Sequence, residues 1–542
     1  MCGIFCVLQY DGENKPSVNN TTQLLKCLDE LTPRGPDKKA NATVGINGCE
    51  IFMGFTRLSI MDTSDAGLQP FSNDNSFVLC NGEIYNYKEL AENHQIKMSS
   101  GCDCEVLLPL YSKVGFEEMV KNQLDAEFAM VVVDSNKCKI YASRDRYGVR
   151  PLFYGYNTKT KIVGFASEMK ALHPIMEYIA PFPPNKIASI NISADVSNVI
   201  NFTEYFDYNS LTPKVYLDDI DLIHNEIERL LTRAVEKRLH ADRPVGFLLS
   251  GGLDSSLVVA IATKILGPDK IICFSVGLEN SPDVVAAKKV VEYLGIKNHH
   301  IVPFSVEAVL KEVPNVIKII ESYDITTIRA SSNQIFLAKF IGEMTNIKVI
   351  LSGEGSDEEH GSYRYFRNAP SSKDFNEETL ILLQELYMFD CLRTDRTMSG
   401  KGLEVRVPFL DFEFVKFIKR INPDLLMYKI NWIEKQLIRD SFKGYLPDEI
   451  LYRSKEALSD GVNTKETNWF RLLQQKLETE ITDENLLNSK YIFNKPRTKE
   501  ALYYRRIFDE FYPNRDNVIE HYWLPKWNGD IIDPSATVLK CY

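Results

Sequence analysis

At 542 residues the chain is too long for one hydrophobic core, and it is expected to form two large domains. Hydrophobic residues make up 44% and charged residues 25%, the balance of a soluble globular protein, and a formal net charge of -11 argues against a nucleic-acid or anionic-membrane partner. Eleven cysteines, an odd number without repeated spacing, argue against a disulfide framework and for a reducing compartment.

Met1 is followed directly by Cys2, so removal of Met1 would leave a thiol and an α-amine on one residue. A thiol attacks as thiolate, and an α-amine with a pKa of about 7.7 to 8.0 can take up its proton, so no His or Asp partner is needed. Position alone does not decide the matter, because any chain may carry Cys second. The apolar opening from Cys2 to Leu8 has no basic flank and runs into Asp11, Gly12 and Glu13, unlike a signal peptide. No uncharged apolar run approaches the roughly 18 to 20 residues needed to cross a membrane. A cytoplasmic location is expected, and the sequon Asn41-Ala42-Thr43 then has no meaning.

From Gly3 to about Ile192 the chain reads as short β-rich runs, at 77–80, 128–134 and 162–167 among others, separated by Asn, Asp and Gly turns. Helices are few there, notably 22–31 and 105–114. Cys102 and Cys104, one residue apart, lack the second ligand pair of a structural zinc site. They read as buried small residues, both facing one way on a strand, and no metal is assigned to them.

A Tyr- and Asp-rich stretch at 205–221 reads as a linker, after which strands alternate with amphipathic helices. The expected order is helix 223–240, strand 245–249, a glycine turn, helix 255–266, strand 272–276, helix 284–294 and, later, strand 348–351. Beyond about Asp374 the chain is mainly helical, and 523–542 reads as an irregular tail.

The run Ser250-Gly251-Gly252-Leu253-Asp254-Ser255-Ser256 sits between a strand and a helix, where unpaired N–H groups and the helix dipole favour a pyrophosphate group. Gly251 and Gly252 let the backbone approach phosphate oxygens, the three serines add hydroxyl donors, and Asp254 can hold magnesium. A glycine turn with a serine cap is the plainer alternative. The loop lacks the Lys of a Walker motif, which argues against ordinary γ-phosphoryl transfer. A second loop, Ser352-Gly353-Glu354-Gly355-Ser356-Asp357, again puts carboxylates at a strand's C-terminal end, and Asp357 could share magnesium with Asp254. Taken alone, that run reads equally well as a solvated acidic turn.

The first loop resembles the pyrophosphatase loop of enzymes that adenylate a carboxylate, and the whole chain resembles glutamine-hydrolysing asparagine synthetases. Met1-Cys2-Gly3-Ile4-Phe5, Arg34-Gly35-Pro36-Asp37, Arg57-Leu58-Ser59-Ile60, Asn81-Gly82-Glu83-Ile84-Tyr85-Asn86 and Asp103-Cys104-Glu105 carry the likeness in the first half. In the second half it is carried by Thr326-Thr327-Ile328-Arg329-Ala330-Ser331, Val405-Arg406-Val407-Pro408-Phe409-Leu410-Asp411, the run from Glu434-Lys435 to Ser459-Asp460-Gly461-Val462, and Asp533-Pro534-Ser535-Ala536.

The resemblance implies a two-domain α/β protein. Residues 2–195 would form a class II glutamine amidotransferase domain, an N-terminal-nucleophile αββα sandwich of two stacked sheets between helices. Residues 215–525 would form a doubly wound α/β ATP-pyrophosphatase domain with a helical extension, and 526–542 a tail. It makes Cys2 the nucleophile and Asn81 with the Gly82 N–H the oxyanion site. Arg57 would clamp the glutamine α-carboxylate, Leu58, Ser59, Ile60 and Met61 would line the glutamine site, and Glu83 and Asp103 would meet its α-amine. Leu249, Val276, Ser352 and Gly353 are assigned to the adenylate, Ser250, Gly251, Gly252, Asp254, Ser255 and Ser256 to ATP phosphates, and Lys435 to their charge. Glu354 is assigned to forming the aspartyl-adenylate, and Asp254 and Asp357 to Mg2+.

The implied reaction converts aspartate, glutamine and ATP to asparagine, glutamate, AMP and pyrophosphate through β-aspartyl-AMP, with ammonia crossing between domains by a dry passage. An amidotransferase acting on another carboxylate, a ring-closing β-lactam synthetase and a silent storage protein are the rivals. Oligomeric state is not legible, and a homodimer is left open. Two departures from the family pattern stand out. Pro33 replaces the usual His before Arg34, and Glu359-His360-Gly361-Ser362-Tyr363-Arg364 is unusually charged.

Overall fold

Strand β1 (Gly3–Tyr10) is apolar at consecutive positions because both of its faces are covered. Side chains alternate across a strand, so Ile4, Cys6 and Leu8 enter the core between two sheets while Phe5 and Val7 face the other way. The computed structural model describes residues 1–10, 21–192, 200–429, 433–454 and 468–535. Two units emerge from it: Met1–Asp207 with Ser399–Glu404, and Tyr208–Met398 with Val405–Tyr542.

The first unit continues with β2 (Lys38–Ile46), β3 (Cys49–Arg57), β4 (Phe71–Ser72), β5 (Ser76–Ile84), β6 (Ala126–Asp134) and β7 (Lys139–Arg144). Strands β8 (Phe153–Asn157), β9 (Ile162–Ala166), β10 (Tyr178–Pro181), β11 (Lys186–Asn191) and β12 (Asn201–Glu204) complete it. They form two six-stranded sheets, ordered β10-β8-β9-β1-β3-β2 and β12-β11-β7-β6-β5-β4. One core, including Ile4, Phe55, Leu79, Val131 and Ala142, joins their inner faces. A second, built from Cys80, Leu107, Tyr111 and Phe128, seats helix Leu107–Val114 on the outside of the second sheet. Helix Thr21–Asp29 lies on β3, where a Cβ at Gly54 would stand 2.8 Å from Leu28. This is the layering of an αββα sandwich.

The helix expected at 105–114 begins instead as a 3₁₀ turn, Asp103–Val106, before Leu107–Val114. Cys102 caps that turn and Cys104 lies within it, so the two are not on a strand. Both are buried, and the described cysteines form no disulfide.

In the second unit β13 (Val245–Leu248), β14 (Ile272–Val276), β15 (Asn298–Val302), β16 (Val349–Leu351) and β17 (Glu404–Arg406) make a sheet ordered β15-β14-β13-β16-β17, with the first four parallel. From β13 the chain winds outward through β14 to β15, and then returns to the other side of β13 as β16. The order therefore reverses between β13 and β16, which is where open α/β sheets form ligand crevices. The Ser250 loop follows β13 and the Ser352 loop follows β16. Helices Leu253–Leu266, Pro282–Leu294, Val306–Ile320 and Ile325–Met344 are the crossovers. Most later elements are helices, and Trp523 and Trp527 pack on Tyr365 and Phe366. Asp11, the motif at Ser459-Asp460-Gly461-Val462, and Ala536 lie outside the described residues.

Candidate active sites

In the first unit β1 delivers Cys2 to the edge of the inter-sheet core, beside the end of β3 and the centre of β5. The Cys2 N–H donates to Asn81 Oδ1 at 2.9 Å, and the thiol to the Leu58 carbonyl at 3.7 Å. Because Oδ1 is taken, Asn81 presents its Nδ2 as a buried donor with no acceptor among the described residues. Arg34 Nε donates to the Cys2 carbonyl at 3.0 Å, and its Nη1 to Glu168 at 2.7 Å and to Ser399 Oγ at 2.9 Å. Pro33 in place of His therefore leaves Arg34 at the nucleophile's backbone.

Met1, still attached, is buried, and its ammonium lies 4.0 Å from Glu404. Burial lowers that amine to about 6 and raises the Cys2 thiol to about 11, where little thiolate forms near neutrality. Arg57 donates to the carbonyls of Met61, Asp62 and Ser64, so its guanidinium is gathered by the loop after Ile60. Asp37 accepts from the Ser59 N–H at 2.8 Å, which fixes that loop's start. Asp103 is buried and accepts from the Ile84 N–H at 2.7 Å, next to buried Glu83.

In the second unit both glycine loops open on a cavity of about 270 Å³. Gly251 has φ +74°, and a Cβ there would lie 2.5 Å from the Ala287 nitrogen, so the turn requires glycine. At Gly353 a Cβ would come within 2.8 Å of the Ser255 nitrogen, which is why the two loops can approach each other. Ser250 Oγ accepts from the Gly252 N–H at 3.2 Å and lies 3.0 Å from Ser255 Oγ. The helix begins at Leu253, so Asp254, Ser255 and Ser256 belong to its first turn. Ser256 is buried and does not line the cavity, whereas Leu249, Val276 and Ser352 do.

Lys435 joins the loops. Its Nζ is 2.7 Å from both carboxylate oxygens of Asp254 and 2.7 Å from Asp357 Oδ1. Ser356 Oγ adds a hydrogen bond to Asp254 at 2.9 Å. Glu354 pairs with Arg393 at 2.8 Å, and Arg393 also holds Asp390 at 2.6 Å and Gln334 at 3.1 Å. Burial raises the Glu354 carboxyl above its usual range, with Arg393 opposing the shift. Sequence reading missed Asp390 and Arg393, which belong to helix Asp390–Ser399 and carry no motif. It also missed Arg453, which lines the same cavity, donates to the Gly251 carbonyl at 3.1 Å and pairs with Asp283 at 2.9 Å, holding the phosphate loop.

Among the described residues no three His, Cys, Asp or Glu side chains converge as a metal site. Magnesium, however, commonly takes only one or two protein carboxylates and draws its other ligands from phosphates and water. Asp254 and Asp357, converging on one cation-sized position, fit that donor set.

A family model described as a glutamine amidotransferase domain matches residues 1–213, and one described as asparagine synthase matches 226–377 and 367–533. The chain belongs to the glutamine-hydrolysing asparagine synthetase family. Within that family, a probable asparagine synthetase of Acanthamoeba polyphaga mimivirus is 56% identical, covering 99% of this chain and 100% of its own. The asparagine synthetases of Mus musculus and Homo sapiens are each 38% identical, covering 100% of this chain and 99% of theirs. The family membership accounts for two unlike sites on one chain.

Proposed function

We propose that the protein makes asparagine from aspartate and glutamine with ATP, and that Cys2 becomes the nucleophile once Met1 is removed. The freed α-amine then takes the thiol proton, and the thiolate attacks the glutamine side-chain amide. The carbonyl oxygen gains charge opposite Asn81 Nδ2 and the Gly82 N–H, a donor pair that acts where charge develops. Ammonia leaves, and water cleaves the thioester to glutamate. Arg57 receives the glutamine α-carboxylate, Leu58 to Met61 line the site, and Glu83 and Asp103 hold the α-amine. The buried Asn81 donor without an acceptor supports this half.

In the second unit the β-carboxylate of aspartate attacks the ATP α-phosphorus, releasing pyrophosphate and forming β-aspartyl-AMP. Ammonia then attacks the acyl carbon and AMP departs. The base lies against Leu249 and Val276, with Ser352 and Gly353 beside the adenylate, and the phosphates lie along Ser250 to Ser255. Glu354, held by Arg393, orders the acyl-transfer centre, and Lys435 neutralises phosphate charge. Asp254 and Asp357 would hold Mg2+, which supplies charge neutralisation on the phosphates when bound.

The observation that carries the reading is the Asp254–Lys435–Asp357 cluster at the mouth of the two loops. No described helix is long and apolar enough to cross a membrane. We place the protein in the cytoplasm, a reading supported by an odd number of cysteines without repeated spacing. The test is AMP and pyrophosphate release from ATP with aspartate and ammonia, in equal amounts and dependent on aspartate. Release with a different carboxylate but not aspartate would redirect the assignment.

A further inference from the structure

His299 lies on edge strand β15, half-buried, and Ser275 lies buried beside it on β14, facing the cavity. His299 Nε2 is 2.7 Å from Ser275 Oγ, and Ser275 Oγ is 2.5 Å from the Leu249 carbonyl oxygen. Only one arrangement of protons satisfies both distances. A carbonyl cannot donate, so the serine hydroxyl gives its proton to Leu249, and its oxygen must accept from a protonated Nε2.

Leu249 is thereby held on both sides of its backbone, because its N–H also donates to the Phe274 carbonyl at 2.9 Å. Leu249 is the last residue before Ser250, so its carbonyl sets the plane of the peptide that opens the phosphate loop. Burial, with His300 and Lys288 adding to the shift, lowers the imidazole to about 4, so near neutrality the ring carries one proton, which the geometry places on Nε2.

We propose that His299 is a positioning residue for the nucleotide: acting through Ser275, it fixes the Leu249 peptide, and with it the base-side wall of the cavity and the first turn of the phosphate loop. This rests on the reading of the cavity as the ATP site. His299 touches neither loop directly and acts only through the serine hydroxyl. Its effect therefore falls on nucleotide binding and leaves the aspartate side of the cavity alone.

The experiment uses the full chain with ammonium chloride as nitrogen donor and follows pyrophosphate release against ATP and, separately, against aspartate. For His299→Ala the expected result is a five- to tenfold rise in KM for ATP, with kcat within twofold and KM for aspartate unchanged. His299→Gln, which can place an amide N–H near the Nε2 position, should recover most of the loss. Ser275→Ala should match His299→Ala, and the double variant should be no worse than either, because one relay is broken in each case.

Glutaminase activity, measured on the same preparations, should be unchanged and reports an intact first unit, while the retained kcat and KM for aspartate report an intact second one. An unchanged KM for ATP in His299→Ala would overturn the proposal, as would equal rises for ATP and aspartate or additive losses in the double variant. Absence of pyrophosphate release from the unaltered protein would instead overturn the ATP reading itself, so the two failures are distinguishable.

Discussion

The ammonium of Lys435 sits 2.7 Å from each carboxylate oxygen of Asp254. It also reaches Asp357, from the second loop, so one cation links the two carboxylates that follow β13 and β16. Lys435 adopts φ +58° as the cap of helix Gln436–Ser441, which turns its side chain away from the helix it begins.

Replacing Lys435 by Met leaves two nearby carboxylates without their counter-charge, and breaking such a pair costs about 3 to 5 kcal/mol when it is buried. Pyrophosphate release with ammonia as donor should fall by about 100-fold or more, which corresponds to roughly 2.7 kcal/mol. Glutamine hydrolysis at Cys2 should persist. Assaying both reactions on one preparation checks this, and a variant with normal pyrophosphate release would remove Lys435 from the chemistry.

Cys2→Ala should abolish glutamine use and spare ammonia-dependent synthesis, because the two chemistries use separate residues. A chain that keeps Met1 should behave similarly, since it lacks a free α-amine on Cys2 and its thiol stays near 11. Mass spectrometry of the N-terminus, paired with a glutaminase assay, would show whether activity follows the processed fraction. Full glutaminase activity in unprocessed chain would contradict the role given to the α-amine.

Asn81→Ala removes both the Cys2 N–H acceptor and the buried Nδ2 donor, while Asn81→Asp keeps the acceptor alone. If the donor serves the oxyanion, both variants should lose about 100- to 1000-fold in glutaminase kcat, the range for a single oxyanion donor. Near-normal activity in Asn81→Asp would show that the contact to Cys2 is the feature that matters.

Much of this was legible because several buried polar residues stand where packing alone gives little reason to hold them. Cys2, Asn81 and Asp103 were named from their motifs, and the structure brings Cys2 and Asn81 into hydrogen-bond contact. Asp254, Asp357 and Lys435 were named separately, and they meet in the structure. Strand β15 was not legible, since Asn298-His299-His300 reads as polar and the strand lies at a sheet edge with one neighbour. Arg393 and Arg453 were missed because each is a single cation whose site partners lie far away in sequence, and only the fold shows what it holds. The 3₁₀ turn at Asp103–Val106 was hidden for a similar reason, since its buried residues match a strand as well as a turn.

The charged run after the second loop is buried rather than solvated, with Glu359 and His360 inside the fold and Lys419 donating to the Glu359 carbonyl at 2.7 Å. Burial, reinforced by the charges of Lys435 and Lys419, lowers His360 to about 3. The folded protein thus resists protonation there, while the unfolded chain takes up a proton near pH 6.5. This contribution to stability is complete above about pH 6.5 and declines as pH falls from 6.5 towards 3, by up to about 1.4 kcal/mol per pH unit. Burial raises the Glu359 carboxyl and acts with the opposite sign, so the contribution of His360 is read as a difference: between pH 7 and pH 5 urea unfolding should show less loss of stability in His360→Gln than in the unaltered protein. An equal slope in the variant would place the titration elsewhere.

The most direct measurement supplies glutamine labelled with 15N in its side-chain amide, together with aspartate and MgATP, and follows asparagine, AMP and pyrophosphate by mass spectrometry. The account predicts 15N in the asparagine side chain, with AMP and pyrophosphate formed in equal amount to it. Labelled ammonia released without labelled asparagine, under conditions where AMP still forms, would contradict the claim that Cys2 supplies the nitrogen to the adenylate.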